Sequence, residues 1–233
     1  MPIKITKPLG FTPLELIEKF KKDNNISKKV SFAGRLDPMA YGLMIILVGD
    51  ECKKQDLYCG KDKIYEFNII YGFETDSLDI LGISKKIDKK QIDYKKLIGK
   101  IVQPFPVYSS KTLKIDGVNK PLWWWAKNGK LDKSMIPKKE VEIYEIDKLE
   151  EKFYNSKEIY ILINDRLSKL SDKNKKKFRY DKILLEWRNN LFDNKIYRVD
   201  KFKTKVSSGT YIRAICKEMG GVAFDINRVN IIF

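Results

Sequence analysis

Between residues 63 and 72 the chain alternates: Tyr65, Phe67, Ile69 and Tyr71 are separated by mostly polar neighbours, the two-residue period of a strand with one apolar face. Similar β signals recur at 141–146, 159–163, 183–187 and 202–206, which predicts a sheet of at least five strands. The unbroken apolar run 43–48, bounded by Gly42 and Gly49, is expected to be buried, as helix or strand. Near the start, Thr12-Pro13-Leu14-Glu15 reads as a capping box with proline at the first helical position. Leu14, Ile17 and Phe20 then extend a short amphipathic helix to about Lys22. Further helices are predicted at about 91–98, 122–127 and 211–219, the last two followed by Gly129 and Gly220 as C-terminal caps. The class is mixed α/β of the α+β type, with helices flanking a central sheet. The polar segment 165–180, with Lys173, Lys175, Lys176 and Lys177, reads as a solvated loop or as an arm that contacts phosphates. No repeat or Pro/Gly/Ser-rich linker divides the chain, so residues 1–233 are expected to form one domain.

Charge narrows the choice of partner. Lys and Arg number 47 against 31 Asp and Glu, a formal charge of +16, and 12% of residues are aromatic. Positive charge for phosphates beside flat rings for bases points to nucleic acid, and general solubility is the plainer alternative. No apolar run is long enough to cross a bilayer and residues 1–10 carry no signal-like block, so the protein is expected in the cytoplasm. Three cysteines without CxxC spacing agree with a reducing compartment. Histidine is absent, which excludes Ser-His-Asp and Cys-His catalysis and histidine-based metal sites. The sequence therefore points to no metal and no cofactor, and to chemistry carried by carboxylates, Lys, Arg, Tyr or hydroxyls.

The segment Gly34-Arg35-Leu36-Asp37-Pro38-Met39-Ala40 is the strongest candidate for that chemistry. Pro38 biases Asp37 away from the helical region, and Gly34 and Gly42 let the backbone bend closely. An isolated Asp-Pro is usually a turn. Its flanks set this one apart, because Gly34, Leu36, Asp37, Pro38, Ala40 and Gly42, then an apolar run, Gly49 and Lys53, resemble the signature of TruB-type pseudouridine synthases. The resemblance continues in order along the chain. Lys7-Pro8-Leu9-Gly10-Phe11-Thr12 is similar to the family's N-terminal motif, and Lys63-Ile64-Tyr65 with Gly72, Thr75, Asp76, Asp79 and Gly82 to its next. The stretch from Gln103 to Lys111, then Ser207 to Arg213, and finally Gly220, Ala223, Ile226 and Arg228 complete five ordered segments.

The resemblance implies the pseudouridine synthase fold and the isomerisation of uridine in RNA, most of all in the T-arm of tRNA, by a monomer. It implies that Asp37 is the catalytic carboxylate, that Arg213 pairs with it and that Tyr65 stacks on the target base. Lys7, Phe32, Gly34, Arg35, Leu36, Tyr211 and Ile226 are implied in substrate binding or its support. Read without the resemblance, Tyr65, Tyr211 and Ile226 are ordinary core residues, and Lys7 and Arg213 solvated charges. Two departures stand out: Phe32 occupies the place of the family's histidine, and with the sequence ending at Phe233 the C-terminal RNA-binding domain of many relatives is not expected. Trp123, Trp124, Trp125 and the 165–180 segment are candidate compensators. Three adjacent residues point about 100° apart on a helix, so the tryptophans cannot all pack on one face. A catalytically idle RNA-binding or RNA-folding protein on the same scaffold, or a synthase acting on another RNA, are the alternative readings.

Overall fold

The alternating segment around Phe67 lies at the centre of the molecule. In the computed structural model, which describes residues 2–88 and 91–233, the chain is organised by an eight-stranded sheet. Strand β1 (Ile3–Lys7), helix α1 (Pro13–Asp23), β2 (Val30–Ala33) and β3 (Ala40–Val48) come first. Helix α2 (Gln55–Cys59) precedes β4 (Asp62–Tyr71), and β5 (Phe73–Thr75) pairs with β6 (Ser84–Lys86) in a separate ribbon. β7 (Gly99–Pro104) leads to a hairpin of β8 (Thr112–Ile115) and β9 (Val118–Pro121), then helix α3 (Leu122–Lys127). The long β10 (Lys138–Asn155) runs into α4 (Ser156–Ser168), α5 (Asp172–Lys177) and α6 (Tyr180–Asn190). Last come β11 (Ile196–Val206), α7 (Ile212–Glu218) and β12 (Gly221–Ile232).

Strand order in the large sheet is β1-β3-β12-β4-β11-β10-β7, with β2 also on β3. Every pairing is antiparallel except that of β12 with β3, so the sheet is mixed and mainly antiparallel, with helices flanking it as expected. Both faces of its centre are covered. Phe67, Ile69, Phe202 and Ala223 pack on one side with α7, and Ile70, Val199, Val222 and Phe224 on the other with α4 and α6. The run 43–48 is strand β3, and both of its faces are covered too, Met44 and Ile46 by the Phe67 core and Ile45 and Leu47 by Ile231, Tyr58 and Cys59, so it reads as continuous rather than alternating; all four are fully buried. The parallel β3–β12 contact depends on Gly42. Its φ is +105°, and a Cβ there would come 2.4 Å from the Arg228 carbonyl oxygen, too close for any residue but glycine.

Helix α1 starts where the sequence places it, with Thr12 and Glu15 forming the reciprocal capping box. Four expectations need correction. Residues 159–163 and 183–187 are not strands but the middles of α4 and α6. Ile159 and Ile163, one helical turn apart, are buried while Ile161 between them is exposed, whereas a strand would turn all three the same way. A capping box, Asn155 with Glu158, starts α4. The 91–98 helix shrinks to one 3-10 turn, Tyr94–Leu97. The 165–180 segment is largely helical rather than a loop, with Ser171 capping α5. Among the described residues no helix is long and apolar enough to cross a membrane.

Helix and strand readings of α4 differ in a measurable way. We expect Ile163→Ala to lower unfolding stability by about 2–5 kcal/mol and Ile161→Ala by no more than about 0.5 kcal/mol, as measured by urea titration. Equal losses at the two positions would contradict the helix.

Candidate active site

Strands β11 and β12 flank β4 and are both antiparallel to it, so they run in the same direction and α7 must cross the sheet face to join them. The helix is fastened by Ile212, Ile215, Cys216 and Met219, which sink into the core around Phe67. Its start is fixed by Gln103 on β7, whose side-chain amide accepts from the Tyr211 N–H at 2.8 Å and donates to the Tyr211 carbonyl at 3.1 Å. Two residues after Tyr211, Arg213 turns inward with 3% of its surface exposed.

Three carboxylate- or carbonyl-bearing loops meet this guanidinium. Asp37 Oδ2 lies 2.8 Å from Arg213 Nη2, and Asp79 Oδ2 lies 3.6 Å from Nη1. Arg213 also donates to the carbonyls of Ser77 at 2.5 Å and Tyr108 at 3.3 Å. Burial alone would lower the Arg213 pKa, but Asp37 and Asp79 outweigh it and raise it, so the charge is secure. Asp79 is itself buried and hydrogen-bonded by Ser77 Oγ at 2.6 Å and the Leu81 N–H at 3.0 Å. Burial pushes its pKa up while Arg213 pulls it down. The 75–82 turn that carries it is bridged to the start of β12 through Ile80 and Ala223. Asp37 sits differently: its side chain keeps 30% exposure and opens into a cavity.

That cavity has a volume of about 240 Å³ and is lined by Gly34, Arg35, Leu36, Asp37, Tyr65, Tyr211, Arg213 and Ile226. Eight of the ten residues singled out in the sequence therefore converge on one hollow, smaller than the usual drug-sized pocket of about 300–1,000 Å³. Lys7 and Phe32 do not line it. Lys7 is fully buried behind the 34–39 loop and donates to the carbonyls of Pro8 at 3.0 Å and Phe11 at 2.6 Å. Phe32 is half-buried on β2 against the core, with the Arg35 guanidinium 5.4 Å from its ring centre.

Three further residues belong to the site. Arg228 on β12 is 1% exposed and donates to the carbonyls of Leu43 at 2.6 Å and Gly34 at 2.8 Å, with the Tyr65 hydroxyl 3.5 Å away. Gly34 has φ +77°, and a Cβ there would press on this guanidinium at 3.3 Å. Lys63 lines the cavity and donates to the carbonyls of Cys59 and Lys61. Asp79 is the third. All three stand inside the motif segments, but only closure of the sheet shows that they are buried. Burial lowers the Lys7 pKa to about 7, with Asp37 opposing and Arg228 assisting, and lowers that of Lys63 to about 8, again with help from Arg228. Among the described residues no group of His, Cys, Asp and Glu could hold a metal ion.

Comparison with known proteins bears on this geometry. Residues 21–169 match the model of a family described as TruB family pseudouridylate synthase (N terminal domain). A protein named tRNA pseudouridine synthase B from Fusobacterium nucleatum is 40% identical over 49% of this chain and 42% of its own length. One of the same name from Caldanaerobacter subterraneus is 31% identical over 62% of this chain and 51% of its own. The chain spans about half the length of the curated relatives it matches. A crystal structure of a Cbf5-Nop10-Gar1 complex superposes with a TM-score of 0.52 at 16% identity, covering 99% of this chain and 48% of that one; it shares the fold.

A lysine with a lowered pKa binds its proton less tightly folded than unfolded. Between about pH 7 and the ordinary lysine value of 10.5 the unfolded chain then holds more protons, and stability rises with pH. Relative to Lys7→Met, the wild type should gain stability from pH 7 to 10 in urea unfolding at each pH. Parallel profiles would show that Lys7 titrates as an exposed lysine does.

Proposed function

The chain belongs to the TruB family of pseudouridylate synthases, and from that premise we propose that it isomerises uridine to pseudouridine in RNA at the cavity that holds Asp37. The observation that carries this reading is the Asp37–Arg213 ion pair, with the carboxylate half-open to a hollow and the arginine closed off behind it. The reaction breaks the bond between N1 and C1′, turns the base within the cavity and rejoins it through C5. N1 takes up a proton and C5 releases one, so nothing else enters or leaves. Such an isomerisation needs only a carboxylate at the sugar, as nucleophile toward C1′ or base toward the 2′ hydrogen, and Asp37 supplies it. Arg213 keeps the carboxylate aimed, and Asp79 holds the other edge of the guanidinium so that it cannot swing away.

Tyr65, Tyr211, Leu36 and Ile226 offer the extruded base an apolar slot with an aromatic wall. Extruding it from its stack costs a few kcal/mol, which stacking and the basic rim, including Arg35 and Lys63, offset. Gly34 gives the backbone room at the same edge. Lys7 and Arg228 act from behind by bonding the carbonyls that shape the Asp37 loop. Phe32, with Arg35 over its ring, contributes to the rim where the RNA loop enters. We assign the substrate as tRNA, in keeping with the names of the relatives, and within it the T-arm, which rests on the motif resemblance alone; residues 1–233 act as a catalytic domain, as a monomer in the cytoplasm.

The protein should release tritium from tRNA transcript labelled at uracil C5, and Asp37→Asn should abolish release while binding of the transcript persists. A wild type inactive on every tRNA tried would end the tRNA assignment. Asp79→Asn should slow turnover by about 10- to 100-fold with KM nearly unchanged, because it frees the arginine without touching the cavity wall. A KM effect with kcat intact would place Asp79 in substrate binding instead.

A further inference from the structure

Helix α3 hangs directly from the cavity wall. The Leu122 N–H donates to the Lys111 carbonyl at 2.8 Å and the Trp123 N–H to the Ser109 carbonyl at 3.3 Å, and Ser109 and Ser110 line the cavity. The three tryptophans of this helix divide the work. Trp125 is buried, and its Nε1–H bonds the carbonyls of Leu113 and Lys120 at 3.0 and 3.1 Å, which fastens α3 to the β8–β9 hairpin. Trp124 packs edge-on against it at 4.9 Å. Trp123 keeps 37% exposure and enters none of the three buried clusters among the described residues. Over its ring, at 5.9 Å, lies the ammonium of Lys177, from the lysine-rich helix α5; Lys120 stands 5.7 Å over Trp124.

The sequence treats α3 and the lysine-rich segment as separate features, and the fold brings them together beside the cavity. Lys177 is not on a loose arm. Ser171 and Asn174 each donate to the Glu15 carboxylate at 2.7 Å, which docks α5 on the start of α1. A second contact runs in parallel: the Arg179 guanidinium lies 5.1 Å over the ring of Tyr108, whose carbonyl accepts from Arg213. An exposed indole under a cation, with Lys111, Lys120 and Lys127 exposed around it, matches the two chemical features of a nucleotide, a π-face and a phosphate. An acidic peptide would use the lysines and leave the ring idle.

We propose that Trp123 and Lys177 form a stacking platform for an unpaired base of the RNA substrate, outside the isomerising cavity, with the base on the indole and its phosphate on the ammonium. The proposal rests on RNA being the substrate, and its test is separable from that of the isomerisation. On an Asp37→Asn background, Trp123→Ala should weaken binding of an unmodified tRNA transcript about tenfold, and Trp123→Phe should restore most of the affinity. Lys177→Ala should lower the slope of log affinity against log salt by about one. Trp187 and Trp125 are buried and Trp124 is half-buried, so the transcript should quench tryptophan fluorescence chiefly through Trp123, and Trp123→Phe should remove much of that quench while the protein still binds. In the active enzyme Trp123→Ala should raise KM more than it lowers kcat. Unchanged affinity and quench in folded Trp123→Ala would overturn the platform and leave the isomerase intact. Trp123-dependent binding by a wild type that releases no tritium would do the reverse.

Discussion

A guanidinium taken out of water has to be met by negative charge and by carbonyls, and in this protein that requirement falls on Arg213. Ions removed from water lose several kcal/mol of solvation apiece unless partners replace it. Here the partners come from three separate loops: Asp37 from the turn between β2 and β3, Asp79 and Ser77 from the turn after β5, and Tyr108 from the segment after β7. None of these loops is held by the others alone. Satisfying one buried cation pulls them to a common point, and the cavity opens on the Asp37 side of it. Fold and candidate site are in this sense the same solution, since the core that buries α7 is what puts Arg213 where only those loops can neutralise it.

The remaining buried cations act on the backbone. Lys7 and Arg228 direct their donors at carbonyls of Pro8, Phe11, Leu43 and Gly34. Arg228 therefore fixes the course of the chain on either side of Asp37, and Lys7 that of the 8–11 turn, whose Gly10 N–H bonds the Pro38 carbonyl. This division matters for chemistry. A cleft that had only to attract phosphate would gain from cations and lose from a carboxylate, so a half-exposed Asp37 amid Arg35, Lys63 and Arg213 is costly for binding. Its presence argues for a reaction at a sugar rather than for a passive RNA clamp.

What the sequence made legible follows from range. Local signals read well: the capping box of α1, the period-two face of β4, the glycine after α7. The two misread segments, around Ile161 and around Leu185, are short apolar runs that strand and helix share. Asn155 to Glu158 carried a capping signature that marks the start of α4, and it outweighs the β-branched composition that suggested a strand. At the site, the residues that face the cavity stood out through their motifs, while the pairing of Asp37 with Arg213 came from resemblance and not from any pattern in the residues. Lys63, Asp79 and Arg228 stood in the motif segments without an assigned role, because burial of a lone polar residue is decided by strands distant in sequence. Lys7 was legible as support but not as a fully buried ammonium for the same reason.

A synthase of the proposed kind faces two demands that conflict, and the fold separates them. Positioning a carboxylate needs rigidity, and the residues that hold Asp37 and line its cavity are fixed on β4, β12 and α7 around the core of Phe67. Capturing a large flexible polyanion needs exposed cations and rings, and those lie on α3 and on α5, which extend beyond the sheet. Tyr108 is where the two sets touch, with its carbonyl on Arg213 and its ring beneath Arg179. Because that contact uses opposite ends of one residue, the proposed grip on RNA outside leaves the bonds of the guanidinium within intact, so that substitution at the surface can change affinity without loosening the carboxylate assigned to the chemistry.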